Sequence, residues 1–292
     1  MNMEAFRERV KDRIQNEGKI ILRPSSIQQF LRCPHQWMRV HLLGEKVAPA
    51  AAARAGNALH SAFEYGFKRK KDKGELPPKD EVLDVAIQEW QKLNQEEELR
   101  YRPGENYQSY ENDIVEGVGK YYDEMMPYLQ PEFIEERFTV EIDNPIIKAF
   151  SGTADLIIRD GETLHLVDYK FTKRKTHGSH YLLQQNSYLW LAKEGGNVDL
   201  VSSVLHNIVR PTTRSGAQIN VIELEYKEKY LKFWVNLMLE AIEEFWEHGT
   251  GLLKGGSDPV TNYLCSSEWC GFWHECPFVE GLRNEEVLAI KI

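Results

Sequence analysis

The 292-residue chain holds only four cysteines, too few for a disulfide scaffold at this length. No run approaches the roughly 18 consecutive apolar residues of a membrane helix, which excludes a helical membrane protein. Residues Met1 to Val10 carry charges on a helix-like pattern and lack an apolar segment, so no secretory signal is expected. The cysteines are therefore expected to be reduced, which favours metal binding or chemistry over cross-linking. Internal repeats and low-complexity tracts are also lacking. The chain has no excess of positive charge: its net charge of −9 argues against coating nucleic acid through a global field, though not against a local basic channel. What remains is an ordinary globular balance, 42% apolar and 28% charged, able to bury a core without staples.

The first 130 or so residues read as mostly helical. Ser25 or Ser26 can cap a helix running through Phe30 and Trp37. Further helices are predicted over 51–71, 81–99 and 106–126, after which Pro127 and Pro131 break the pattern. Strands are predicted over 133–142, 147–158 and 164–171, with Asp160-Gly161 as a two-residue hairpin turn. Ser179 opens a helix that stops at Gly195-Gly196. Strands near 200–209 and 219–224 follow, then a long amphipathic helix over 228–248. The tail from Gly249 is irregular and holds three of the cysteines. The pattern is an α/β core with a helical N-terminal elaboration, divided as 1–130, 131–248 and 249–292.

The segment Leu164 to Phe171 is the most informative. Side chains alternate along a strand, so Asp168 and Lys170 share a face with Leu164 and Leu166, while Val167, Tyr169 and Phe171 cover the other. Both faces are largely apolar, which marks a central strand, and charges placed there need partners or a metal. With Asp160-Gly161 as the turn, Arg159 faces Glu162 and Asp155 faces Leu166. Asp155 is then the diagonal neighbour of Asp168, about 7–8 Å away. An odd loop would send Asp155 to the opposite face. Two carboxylates at that spacing can grip a divalent cation. The plain alternative is a surface hairpin with an Asp–Lys ion pair; Gly152-Thr153-Ala154-Asp155 in matching register favours the metal.

Such a cluster suits phosphodiester hydrolysis. The cation polarises the phosphate and acidifies a bound water. Lys170 can position or deprotonate that water, or stabilise the charge building on phosphorus. The run Lys173-Arg174-Lys175, with His177 and His180 behind it, would hold the anionic backbone. The earlier run over 68–73 reads as a solvated face.

Asp155 with Asp168-Tyr169-Lys170 resembles the split signature of the PD-(D/E)XK nuclease superfamily, with Ala154 in place of the proline. Further motifs narrow the likeness. They are Ser25-Ser26 leading to Cys33-Pro34, Gly56-x-x-x-His60-x-x-x-Glu64, Gln184-x-x-x-Tyr188, and the trio Cys265, Cys270 and Cys276-Pro277. In this order they resemble the RecB-type exonucleases, including the CRISPR-associated RecB-like exonucleases and the nuclease domain of AddB.

The resemblance implies a restriction-endonuclease-like fold: a central mixed sheet flanked by helices, with the helical elaboration before it and a cysteine-rich metal-cluster region after it. The implied activity is Mg²⁺- or Mn²⁺-dependent DNA exonuclease action in DNA processing, recombination, or a phage or defence setting. The implied partner is single- or double-stranded DNA ends, in the cytoplasm of a bacterial or phage-infected cell, with no membrane. His60, Asp155, Asp168 and the backbone carbonyl of Tyr169 would hold the catalytic metal, and Gln184 and Tyr188 would lie near the scissile phosphate. Glu64, one turn beyond His60, is expected to orient it. Glu136, in phase with Ile134, Phe138, Val140 and Ile142, falls on the apolar face of its strand; it either approaches the site or sits solvated near a strand end, and it is not assigned as a ligand.

By the same resemblance Cys33, Cys265, Cys270 and Cys276 would hold a [4Fe–4S] cluster. Four residues separate Cys265 from Cys270 where the family more often has two, which leaves tetrahedral Zn²⁺ as the competing occupant. Two other readings stand beside the exonuclease: a non-catalytic nuclease-fold protein that binds DNA ends or a partner, and a zinc-stabilised module unrelated to nucleic acid.

Overall fold

A computed structural model of the chain describes residues 3–249, 251, 253, 255–257, 262, 264–266 and 269–279. The first half contains α1 (Met3–Glu17), β1 (Ile20–Leu22), α2 (Pro24–Arg32), α3 (Pro34–Trp37), α4 (Ala51–Lys73), α5 (Lys79–Glu96) and α6 (Tyr107–Glu124). The second contains β2 (Pro131–Glu141), β3 (Ile147–Asp160), β4 (Thr163–Thr172), α7 (Leu182–Gly196), β5 (Ser202–Val209), β6 (Gln218–Leu224) and α8 (Glu228–His248). No described helix is long and apolar enough to cross a membrane.

The sheet has six strands in the order β1-β3-β4-β5-β6, with β2 also paired to β3. β3 and β4 form an antiparallel hairpin, β4 and β5 run parallel, and β5 and β6 are antiparallel. Parallel neighbours need a long crossover, and α7 supplies it between β4 and β5. The result is a mixed α/β fold with helices against a mixed sheet, of the restriction-endonuclease-like kind.

Two units are distinguished by internal packing: residues 1–47, 141–150 and 229–292 form one, and residues 48–140 and 151–228 the other. In the second unit, α4, α5 and α6 bury Ala55, Ala58, Leu59, Ala62, Phe63, Trp90, Tyr110, Ile114 and Tyr121 in one core with the sheet residues Leu156, Val167, Tyr169 and Ile208. Alanines along α4 give it high helix propensity and let it lie close. A Cβ at Gly117 would come within 3.0 Å of Phe171 and 3.3 Å of Ile208, so glycine lets α6 sit on β4 and β5 without displacing those side chains. Asn106 caps α6: its side chain accepts from the Ser109 N–H, and the Ser109 hydroxyl accepts from the Asn106 N–H.

In the first unit, β1 runs parallel to the start of β3, from Ile20 opposite Ile147 to Leu22 opposite Phe150. The three-residue β1 was not anticipated from the sequence; it is too short to carry a periodicity. Phe6 of α1 meets Phe245 of α8 edge to face at 5.3 Å. Arg7 donates to the Trp246 and Glu247 carbonyls, which satisfies acceptors at the end of α8.

The structure corrects three local expectations. The helix expected to run from a Ser25 or Ser26 cap through Trp37 starts at Pro24 instead, with Arg23 as its N-cap, and breaks at Cys33 because Pro34 opens α3. The run over 68–73 is not wholly solvated: Lys70 is buried, and its ammonium donates to the carbonyls of Met126 (2.9 Å), Pro127 (2.8 Å) and Leu129 (2.7 Å). The hairpin turn is Gly161-Glu162 rather than Asp160-Gly161, because Asp160 pairs with Thr163. Gly161, with φ of +56°, supplies the left-handed residue such a turn requires at its first position.

Candidate active site

That turn moves the β3–β4 register by two residues from the expected one. The shift is even, so every side chain keeps its face. The paired ladder ends at Leu156 and Val167, so Asp155 and Asp168 are the next residues on their two strands, where the Tyr169 N–H turns to the Asp155 carboxylate.

Asp155 is almost buried. Its Oδ1 lies 3.3 Å from His60 Nδ1 on α4, and its Oδ2 accepts from the Tyr169 N–H at 3.1 Å. Burial alone would push the Asp155 carboxyl up; the His60 imidazole, the Lys170 ammonium and the Tyr169 N–H together hold it below the usual value. Asp168 is more fully enclosed and pairs with Lys170 through Oδ2. Burial, aided by the nearby Asp155 charge, raises the Asp168 carboxyl against the pull of Lys170. For Lys170 burial works against the charged form, but Asp168 and Asp155 outweigh it and raise the ammonium above its ordinary value.

The Tyr169 carbonyl points into the same space. Lys170 Nζ donates to it at 3.2 Å and His60 Nε2 at 3.3 Å. Both nitrogens of His60 thus face oxygen acceptors, an arrangement that suits the imidazolium. Burial would lower the imidazole, yet Asp155 raises it above the ordinary histidine value. The other face of β4 is a packed core in which the Tyr169 ring meets Phe63 at 5.0 Å and Tyr121 at 5.5 Å. This packing holds the strand that carries both site residues.

A further acid completes the cluster. His60, Glu135 and Asp155 each offer one ligand atom, and these atoms all lie within 4.8 Å of one another. Glu135, not Glu136, is the β2 carboxylate that reaches the site. Its φ is +51°, a left-handed conformation costly for any residue with a Cβ, inside an extended strand. That one residue breaks the alternation on which the placing of Glu136 relied. Burial first, then the Asp155 charge, push the Glu135 carboxyl up to about 7, with His60 opposing. The adjacent Glu135-Glu136 pair was the only trace of this in the sequence. Glu64 does not orient His60: it pairs with Lys68 on its own helix, and both ring nitrogens of His60 are turned to Asp155 and the Tyr169 carbonyl.

α7 brings Gln184 and Tyr188 together, with Gln184 Nε2 donating to the Tyr188 hydroxyl at 3.4 Å. Burial, and then the charges of Asp168 and Asp155, raise the Tyr188 hydroxyl far above the ordinary tyrosine value, so it stays protonated. Lys170 also lies 5.4 Å from the Tyr181 ring centroid, at cation–π distance. Lys173, Arg174 and Lys175 are exposed just past β4, Lys173 being 3.4 Å from Glu105.

The donor set suits a hard divalent cation: two or three carboxylates, one imidazole and one carbonyl, on packed elements. It can hold a cation against a phosphate and keep a lysine and a tyrosine, both protonated, beside it.

The four cysteines lie in the other unit, and none is joined in a disulfide. Cys33 Sγ accepts from the Gln36 N–H at 3.4 Å, and Gln36 Nε2 reaches Cys270 Sγ at 3.9 Å. Burial raises the Cys270 thiol, and Cys33 and Cys276 raise it further, so these three share one neighbourhood. The Cys265 thiol donates to the Ser257 carbonyl at 3.8 Å. Among the described residues the cysteines do not form a group of ligand atoms like that of His60, Glu135 and Asp155.

No curated protein matches the chain significantly in sequence. Among solved structures it is similar to one described as the crystal structure of SSO0001, at 15% identity, covering 93% of each chain with a TM-score of 0.40. The family profile described as the PD-(D/E)XK nuclease superfamily matches residues 22–277. That match begins within β1, takes in every acid, histidine and lysine of the cluster, and ends beyond the last cysteine. The chain therefore belongs to the PD-(D/E)XK nuclease superfamily.

Proposed function

We propose that the protein is a Mg²⁺- or Mn²⁺-dependent DNA exonuclease of RecB-like type, acting in DNA processing, recombination, or a phage or defence setting. The observation that carries this reading is the convergence of His60, Glu135 and Asp155 beside the Asp168–Lys170 pair. Asp155, Asp168, His60 and the Tyr169 carbonyl would hold the cation, with Glu135 as a further carboxylate. When bound, the cation supplies Lewis-acid polarisation of the phosphate and a more acidic water.

The protein's own groups account for the rest. Lys170, with its ammonium favoured by two carboxylates, remains charged at neutral pH. That suits it to orient water and to stabilise the pentavalent phosphorus, more than to act as a base. Tyr188 keeps its proton, so its hydroxyl can donate to a phosphate oxygen while Gln184 holds it in place. Lys173, Arg174 and Lys175 would bind the DNA backbone next to the cutting point.

Cys33, Cys265, Cys270 and Cys276 are proposed to hold a [4Fe–4S] cluster with a structural role, Zn²⁺ being the competing occupant. Iron and sulfide analysis of anaerobically purified protein separates the two.

The test of activity is incubation of end-labelled linear and circular DNA with Mn²⁺, Mg²⁺ or a chelator. Linear DNA should be degraded from its ends only with metal. Asp168→Ala and Lys170→Ala should each lower the rate by roughly 10²–10³-fold while leaving the circular dichroism spectrum intact. Cleavage that survives both substitutions refutes the assignment, and nicking of circles refutes the exonuclease mode.

A further inference from the structure

Lys170, Asn207 and Asn220 stand in one row across three strands. Lys170 on β4 is paired with Asn207 on β5, and Asn207 with Asn220 on β6. Register partners present their side chains on the same face, so the two asparagines extend the face that carries Asp168 and Lys170. Asparagine is disfavoured in strands, and Asn207 is fully buried between buried neighbours, where an aliphatic residue is the ordinary choice. A buried amide is costly unless its hydrogen bonds are made.

Those bonds run to the end of β4 and to the turn after it, which carries Lys173, Arg174 and Lys175. Asn207 Nδ2 donates to the Thr172 hydroxyl at 2.7 Å and to the Lys170 carbonyl at 3.3 Å. Asn207 Oδ1 accepts from the Thr176 N–H at 3.0 Å. Asn220 Nδ2 donates to the Thr176 carbonyl at 3.0 Å. The peptide groups on either side of Thr176 are thus gripped by two side chains from two strands. The Thr172 hydroxyl closes the turn from within by donating to the Arg174 carbonyl at 2.7 Å. The far end is seated on β6 as well, because a Cβ at Gly178 would meet Ile222 and Leu224 at 3.0 Å and its φ is +81°. Meanwhile Arg174 and Lys175 remain exposed.

We propose that Asn207 and Asn220 are positioning residues for the DNA backbone. They pin the basic turn to the end of β4, so that its cations meet the phosphates in fixed register with Asp168 and Lys170. This rests on the nuclease reading above and deepens it. A loose turn would still carry its charge, but ordering it would be paid out of binding free energy. A purely structural asparagine would matter to stability and be indifferent to whether the turn is charged.

Because Asn207 is wholly buried, its removal threatens the fold, and Asn220→Ala carries the test. On linear DNA, Asn220→Ala should raise KM by roughly five- to tenfold with little loss of kcat. Binding of labelled DNA is then followed by anisotropy against salt concentration, with Asp168→Asn as the uncutting background. Asn220→Ala should flatten the salt slope by about one phosphate contact. In a Lys173→Ala, Arg174→Ala, Lys175→Ala background, Asn220→Ala should have no further effect on affinity. Additive losses in that cycle, an unchanged KM, or a fall in kcat alone would overturn the proposal. If wild-type protein binds DNA without cutting it, the nuclease reading fails and the binding cycle still decides this one. If it binds no DNA, both fall.

Discussion

Asp155 and Asp168 each follow the last β3–β4 pair, Leu156 and Val167, yet enclosure acts on them with opposite results. Asp155 is held below the usual carboxylate value by His60, Lys170 and the Tyr169 N–H, whereas burial and the Asp155 charge raise Asp168. Two close carboxylates cannot both ionise cheaply without a cation between them. His60, with each nitrogen turned to an oxygen, supplies part of that positive charge in the metal-free protein.

A divalent cation should therefore displace a proton. Metal-ligating histidine must be neutral, and the His60 pKa is raised in the metal-free state, so binding near neutral pH releases protons. Calorimetric titration of Mn²⁺ in buffers of different ionisation enthalpy should give a buffer-dependent heat, and His60→Ala should remove most of that dependence. A heat independent of buffer would place the imidazole outside the metal site.

Glu135 gives a pH dependence of stability whose sign is fixed. Its pKa in the folded chain is raised to about 7, so its stabilising contribution is complete below the ordinary carboxylate value and is lost as pH rises through about 7. Without metal, Glu135→Gln should leave stability unchanged near pH 4 and increase it by roughly 1–2 kcal/mol near pH 8, allowing for solvent screening. Thermal melts at the two values check this. The same substitution should weaken the melting-temperature increase that Mn²⁺ produces. A variant less stable than the wild type at the higher pH would mean that Glu135 is held as a paired carboxylate.

Lys70 should matter to stability and not to chemistry. Its ammonium joins three carbonyls of the segment between α6 and β2, and Lys70→Met leaves those acceptors buried and unmet. The expected cost is roughly 2–4 kcal/mol in urea denaturation. Turnover per folded molecule should stay within about twofold of wild type. A variant as stable as the parent would show that water replaces the ammonium.

Arg210 offers a similar check on the floor beneath the basic turn. Its guanidinium is buried, lies 2.6 Å from Asp113 and 3.1 Å from Glu105, and stacks 4.0 Å from the centre of the Tyr110 ring. Arg210→Met leaves two enclosed carboxylates without their cation, at an expected cost of about 3–5 kcal/mol by denaturant titration. The Glu105 carboxyl, now held low with Arg210 among the causes, should rise and loosen its contact with Lys173.

Much of the candidate site was legible in the chain because strand alternation has period two. Asp155, Asp168 and Lys170 kept their common face even though the turn moved from Asp160-Gly161 to Gly161-Glu162, since a slip of two residues preserves parity. Helix α8 falls on the predicted 228–248, because its amphipathic repeat is long and uninterrupted. Tertiary structure decided what no local period records. Glu135 displaced Glu136 through one left-handed residue. Lys70 found carbonyls 56 to 59 residues away. Asn207 and Asn220 reached Thr176 only after a crossover had set β5 and β6 beside β4. Periodicity specifies which side of an element a residue takes. Which distant groups wait on that side depends on strand pairing and packing, and these are settled by the whole chain at once.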